Sequence, residues 1–365
     1  LGWYGQRRLF DELEFRRDVL RLALLYRQRG YYDARVDTVV DRTGGAVSVT
    51  FRVAEGQPVR VDTVSVRGAE GVLDPRSVAR RLSFKSGGAF DRVAFAAAAD
   101  TVGLLLRNRG YPFAQVYRNF DVDRTTRLAE ARFEARPGTR ARIGDVRIEG
   151  ASPADAPAIR RSLAFRRGDW FTQDALYESQ RSLYQTGLFR YASVSVAPDS
   201  TVGAADSLVR LLVQVSEGPR NRFQLGAGYG TIDCFRTQGT WSAGGFLGGA
   251  RRLDLAAKVS KLGVGAPTDF GLRKTLCPAL FDDPFSDNVN YVGSIAFTQP
   301  ALFARRNALT LSAVAERRSE FKAYERQGLG GSVAMSFGAG RDVSLTVAYR
   351  LSYGRTIADP ATFCT

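Results

Sequence analysis

Histidine is absent from all 365 residues. No Ser-His-Asp or Cys-His relay is therefore available, and no histidine-containing metal site. The three cysteines, Cys234, Cys277 and Cys364, lie far apart without C-x-x-C spacing, which argues against a zinc cage or a redox pair. Lysine is scarce: only Lys85, Lys258, Lys261, Lys274 and Lys322 occur, so nearly all the basic charge is arginine. Long apolar runs are missing too. The Ala-rich stretch Val93 to Ala99 is bounded by Arg92 and Asp100, short of the roughly 18–20 apolar residues of a membrane helix. A β-barrel stays open, since only alternate residues of its strands meet lipid. No charged-then-apolar leader stands at Leu1, so an export signal is expected to lie outside this sequence, as in a fragment or a mature form.

What is present begins with charge. The formal net charge is +15, but the arginines are spread through every segment among Asp and Glu. No basic helix or nucleic-acid motif gathers them, so a solvated basic surface, facing anionic lipid, is expected rather than nucleic-acid binding. The 44% hydrophobic content is that of a folded chain.

A helix-and-strand unit recurs about every 80 residues. Leu24-Leu25-Tyr26-Arg27-Gln28-Arg29-Gly30-Tyr31 aligns with Leu104-Leu105-Leu106-Arg107-Asn108-Arg109-Gly110-Tyr111, and a looser copy runs from Leu183 to Phe189. A second landmark repeats at nearly the same period: Val61 to Gly68 matches Ile143 to Gly150. Each unit reads as a strand ending at Gly and a short helix (Pro75 to Leu82; Ala154 to Leu163) with Asp74 and Ser152 as N-caps. A turn, a longer helix (Asp91 to about Asn108; Gln173 to about Gln185) and two closing strands follow. Val93, Ala97, Leu104 and Leu105 are expected to face the sheet, and Gly110 and Gly187 to stop the long helices. The predicted class is α+β, helices on one face of a three-stranded sheet.

This order resembles the POTRA domain. The third copy carries the recognisable element: Gly168-Asp169-Trp170-Phe171, then Leu176, Ser179, Leu183 and Gly187-Leu188-Phe189 before a strand. Those residues read as core of a small domain. The resemblance points to the first strand of the closing pair as an exposed sheet edge, Tyr191, Ala192, Ser193, Val194, Ser195 and Val196, able to pair with an extended client segment.

Past Glu217-Gly218-Pro219 the grammar changes to period-two alternation. Phe223, Leu225, Ala227 and Tyr229 oppose Gln224, Gly226, Gly228 and Gly230. Leu253 to Val259, Leu309 to Ala313, Val333 to Phe337 and Val343 to Leu351 repeat the scheme. Strands of about 10 residues, small residues on the polar face and aromatics toward strand ends (Tyr229, Trp241, Tyr291, Phe337, Tyr353) favour a membrane barrel over a soluble sandwich. Short turns at Leu247-Gly248-Gly249, Leu302 to Arg306 and Gly338 to Arg341 alternate with longer loops, the longest Gly263 to Asn290. All three cysteines fall in the long-loop side, where Cys277 and Cys364 are the candidate disulfide pair. The seven strands legible here are too few to close a barrel, so the native protein is expected to continue beyond Thr365.

Expected domains are a partial POTRA-like unit at 1–56, POTRA-like units at 57–138 and 139–219, and the first strands of an outer-membrane β-barrel at 220–365. POTRA-like units running directly into Gln224-Leu225-Gly226-Ala227-Gly228-Tyr229-Gly230 resemble the BamA/TamA family of outer-membrane assembly proteins. The resemblance implies an insertase that is not an enzyme and uses no cofactor. It implies unfolded outer-membrane proteins as clients, with periplasmic chaperones, accessory lipoproteins or an inner-membrane partner, and outer-membrane lipid around the barrel. Residues Phe223 to Gly230 would form a weak seam that templates incoming strands. A two-partner secretion transporter shares the layout but carries two POTRA units, against parts of three here; a passive porin leaves the arm without purpose.

Overall fold

The computed structural model describes residues 10–153, 155–200, 207–272, 274–281, 283–338 and 343–359. Helix α1 (Glu12–Gln28) starts at Asp11, whose side chain accepts the Leu13 and Glu14 N–H groups. Strands β1 (Arg35–Thr43) and β2 (Ala46–Ala54) follow as an antiparallel pair, the closing part of a unit.

The second unit is complete: β3 (Arg60–Arg67), α2 (Pro75–Arg81), α3 (Arg92–Arg107), β4 (Gln115–Asp123) and β5 (Leu128–Arg136), with sheet order β3-β5-β4. Asp74 caps α2 as predicted, and Asp91 caps α3. The core gathers phenylalanines: Phe95 of α3 lies 5.6 Å from Phe84, 5.8 Å from Phe90, 5.5 Å from Phe120 and 5.0 Å from Phe133, ring centre to ring centre. The stripe predicted for α3 is rotated in the structure. Val93 and Ala97 are exposed, and Phe95, Ala98, Ala99, Val102 and Leu106 are buried. The ring of Phe95 removes more apolar area from water than Val93 would, so it sets the helix rotation.

The third unit repeats the order: β6 (Arg142–Glu149), α4 (Ala156–Ser162), α5 (Gln173–Gln185), β7 (Phe189–Val196) and β8 (Leu208–Glu217), with sheet order β6-β8-β7. Its short helix starts later than predicted. The N-cap position is Asp155, which makes no side-chain cap bond, while Ser152 is engaged elsewhere. Ala154 lies outside the described residues.

Gly68 and Gly150 end the first strand of their units at φ +77° and +79°. A Cβ there would fall against the carbonyl oxygen of Ala135 or Val215 on the central strand. Gly150→Ala is therefore expected to lower stability by about 1–3 kcal/mol in a urea melt, from left-handed strain plus overlap. A change below about 0.5 kcal/mol would show that the turn relaxes freely.

Seven antiparallel strands follow: β9 (Asn221–Gly230), β10 (Cys234–Gly244), β11 (Arg252–Leu262), β12 (Asn290–Pro300), β13 (Ala308–Glu320), β14 (Tyr324–Gly338) and β15 (Ser344–Ala358). Each pairs with its sequence neighbours, leaving β9 and β15 at the two ends of the sheet. The predicted alternation survives in the registers. Leu311, Val333 and Tyr349 line up across three strands, as do Ala313, Gly331 and Leu351. On β15 the apolar positions run from Leu345 to Tyr353, and all are exposed. Eight residue steps give about 26 Å along the strand, or about 20 Å of height at a tilt near 40°, close to the apolar band of an outer-membrane barrel. No helix among the described residues is long and apolar enough to cross a membrane. The turn predicted from Gly338 to Arg341 is only partly described, residues 339–342 lying outside the described set.

By contact the chain divides into two compact bodies, one mainly Leu1–Gly144 and the other mainly Arg210–Thr365, with the segments of the third unit assigned between them.

Candidate client interface: the free sheet edges

All ten residues of β9 pair with β10 in unbroken register, from Asn221 opposite Ala243 to Gly230 opposite Cys234. Among the described residues, no strand pairs with the other side of β9. Its apolar face is open: Leu225 is 88% exposed and Phe223 69%. Phe223 stacks on Trp241 at 6.1 Å and Tyr229 meets Phe235 at 5.4 Å, so β10 holds the aromatics at both ends. On the polar face the glycines have a steric reason. A Cβ at Gly228 would stand 3.0 Å from Arg236 Nε, and one at Gly226 would stand 3.3 Å from Gln238. These two long side chains belong to the residues opposite and lie over bare backbone.

The arm presents edges of the same kind. In the second unit the outer side of β3 is occupied by the turn before α3: Val61 N–H donates to Gly88 O, and Gly87 and Phe90 N–H donate to Val61 and Val59. The third unit repeats this, with Ile143 N–H donating to Asp169 O, and Gly168 and Phe171 N–H donating to Ile143 and Ala141. The first strand of each sheet is thus partly blunted, and β4 and β7 lie at the opposite edge. Tyr191, Ala192, Ser193, Val194, Ser195 and Val196 all fall within β7. Ala192 and Val194 are buried against β8, while Tyr191 is half exposed.

The passage from β8 into β9 is fastened. Gly218 N–H donates to Leu188 O at 2.8 Å, and Gly244 N–H to Arg220 O at 2.7 Å. Arg220 reaches the buried Asp155 at 3.0 Å and Glu217 at 3.6 Å. Glu217 in turn accepts the Ser152 N–H at 2.7 Å, and that bond, helped by Arg220, holds its carboxyl below the usual range. A depressed carboxylate contributes stability above its unfolded pKa, and the contribution is lost as pH falls through the folded value. The Ser152 amide resonance is expected to shift on acidification below the ordinary glutamate range near 4.3, and to lose that step in Glu217→Gln. On α5, Glu178 receives Arg306 at 2.7 Å and Arg305 at 3.5 Å, both from the turn between β12 and β13.

The longer loops differ from the sequence reading. Cys277 is bonded to Cys234, with a Cα–Cα distance of 5.8 Å, rather than to Cys364, which lies outside the described residues. Spacing along the chain separates Cys234 from Cys277 by 43 positions, and the β11 hairpin brings them together. Sequence reasoning also missed Lys261, Arg317 and Ser319. They lie at or near strand ends, and alternation places Arg317 and Ser319 on the apolar face, where a charge signals that something covers it. All three are buried. Among the described residues no cluster of metal-ligating side chains is found.

A family model for POTRA, "Surface antigen variable number repeat", matches residues 4–56 and 141–218. The chain is 21% identical over 346 residues to the outer membrane protein assembly factor BamA of Neorickettsia risticii (strain Illinois), covering 94% of this chain and 42% of that protein. It is 22% identical over 232 residues to BamA of Neisseria meningitidis serogroup B (strain ATCC BAA-335 / MC58), covering 62% of this chain and 28% of that protein. The chain thus spans less than half the length of these curated relatives. Among solved structures, BamA from Haemophilus ducreyi lacking POTRA domains 1–3 matches with a TM-score of 0.55 at 19% identity, over 82% of this chain and 50% of that one.

Repeats of this fold joined to this sheet define a POTRA-armed β-barrel protein. The curated relatives it matches are named outer membrane protein assembly factors. The chain carries POTRA repeats and is similar to BamA proteins.

Proposed function

We propose that this chain is the client-handling part of a factor that assembles and inserts β-barrel proteins into the bacterial outer membrane. The observation that carries this reading is β9, a Gly-rich strand reached directly from the third repeat unit, with Gly226 and Gly228 leaving its backbone bare on the polar face. Its backbone N–H and C=O groups pair with an incoming strand, and sequence-independent ladder bonds suit clients of many sequences. Phe223 to Gly230 form the seam, and the β7 edge, Tyr191 to Val196, receives extended client segments before they reach it. Unfolded outer-membrane proteins are the clients, delivered by periplasmic chaperones, and accessory lipoproteins or an inner-membrane partner dock on the arm. The process exchanges hydrogen bonds and buries apolar surface, so the chain acts without enzymatic chemistry or a cofactor. The working parts divide at 1–56, 57–138, 139–219 and 220–365.

The test places the protein in liposomes and adds a urea-unfolded outer-membrane barrel client, with protease resistance reporting client folding. Folding faster than in empty liposomes supports the proposal. Equal rates together with steady ion conductance point to a porin.

A further inference from the structure

The described residues between β11 and β12 (263–272, 274–281 and 283–289) are tied to the outer ends of the strands rather than left as a plain loop. Tyr229 Oη of β9 donates to Leu276 O at 2.6 Å. The next residue, Cys277, is bonded to Cys234 at the start of β10, and Val264 and Leu280 complete a small buried cluster around the disulfide. Lys261, only 1% exposed, donates from Nζ to Ser286 Oγ at 2.6 Å and Ser319 Oγ at 2.7 Å, and pairs with Asp283 at 3.4 Å. Asp283 also accepts the Lys322 N–H at 3.1 Å from the turn after β13. Arg317 of β13 donates to Asn288 O at 2.8 Å and Val289 O at 2.9 Å while holding Glu325 of β14 at 2.8 Å. One segment therefore touches β9, β10, β11, β13 and the turn that follows. Arg317 and Ser319 also meet Asn290 Oδ1 at the start of β12, so the ties converge where the strand ends leave the sheet.

We propose that residues 276–281 and 283–289 are a strap, and that Lys261 and the Cys234–Cys277 bond are positioning groups that hold the outer end of β9. This rests on the reading of β9 as the seam. The near end of β9 has its own ties, Arg220 O accepting the Gly244 N–H at 2.7 Å and Asn221 Oδ1 accepting the Trp241 Nε1–H at 3.2 Å, and the far end is tied through Tyr229 and the adjoining Cys234. Lys261 is the centre of the device. It takes φ +62°, where the β10–β11 register shifts, an uncommon conformation for a residue with a side chain. That backbone places the ammonium against three partners, and without it the buried Asp283 loses its counter-charge.

Amide hydrogen exchange resolved along β9, with the protein in phospholipid vesicles, tests the strap independently of any client. In Lys261→Met and in the Cys234→Ser/Cys277→Ser double variant, exchange at residues 227–230 is expected to rise at least about tenfold, with 221–224 nearly unchanged. Lys261→Arg keeps the wild-type pattern. Dithiothreitol acting on the wild type repeats the effect of the double variant, which decides the matter where Lys261→Met does not insert. An unchanged profile, or one raised equally along β9 and through β12–β14, overturns the proposal. Should the exchange pattern hold while client folding is indifferent to β9, the strap stands and the seam reading fails.

Discussion

Proline at Ala227 or at Gly228 is expected to abolish most client folding, for different reasons at the two positions. Neighbouring residues of an edge strand direct their N–H groups to opposite sides, one into the ladder and one outward. One of the two prolines therefore removes a bond to β10, costing about 1 kcal/mol or more, and the other removes a donor from the free edge of β9. Both lie within the paired stretch, opposite Thr237 and Arg236. The proline that spares the ladder leaves the urea midpoint of the sheet near wild type, yet lowers client folding at least about tenfold, because the template lacks a donor. Full activity in that variant would mean that the edge of β9 is not where clients pair.

Phe95→Ala is expected to cost about 3–5 kcal/mol, the range for deleting a buried aromatic ring. Four other phenylalanine rings surround it, so the cavity cannot close by movement of a single neighbour. The loss falls on the second repeat unit, β3 to β5. Limited trypsin digestion is expected to cut its many arginine sites while β9–β15 stay resistant, and client folding should slow along with the damaged arm. Retention of wild-type urea resistance in residues 57–138 would contradict the packing described for α3.

Those outcomes bear on what the sequence made legible. Asp74 and the ends of the long helices could be read because capping is local, a side chain bonding to N–H groups two or three residues on. The strand β9 itself could be read because period-two alternation is local and needs no knowledge of the partner. The rotation of α3 could not. Val93 and Phe95 both suit a helix, and only the sheet beneath selects the larger ring. Ser152 looked like a cap, but its N–H is used by Glu217, 65 positions away. The Cys234–Cys277 bond and the Lys261 cluster failed for the same reason: they depend on how β11 brings distant residues together. Arg317 was the available clue, a charge on a face otherwise meant for lipid.

The central claim, that β9 pairs with a client strand, is tested most directly by site-specific crosslinking. A photo-reactive residue is placed in turn at each position from Gln224 to Gly230, and a client arrested during insertion is mapped by mass spectrometry. The account predicts crosslinks that advance along one client strand as the position advances along β9, in opposite sense for antiparallel pairing. Crosslinks scattered over the client, or confined to positions in the POTRA arm, would contradict it.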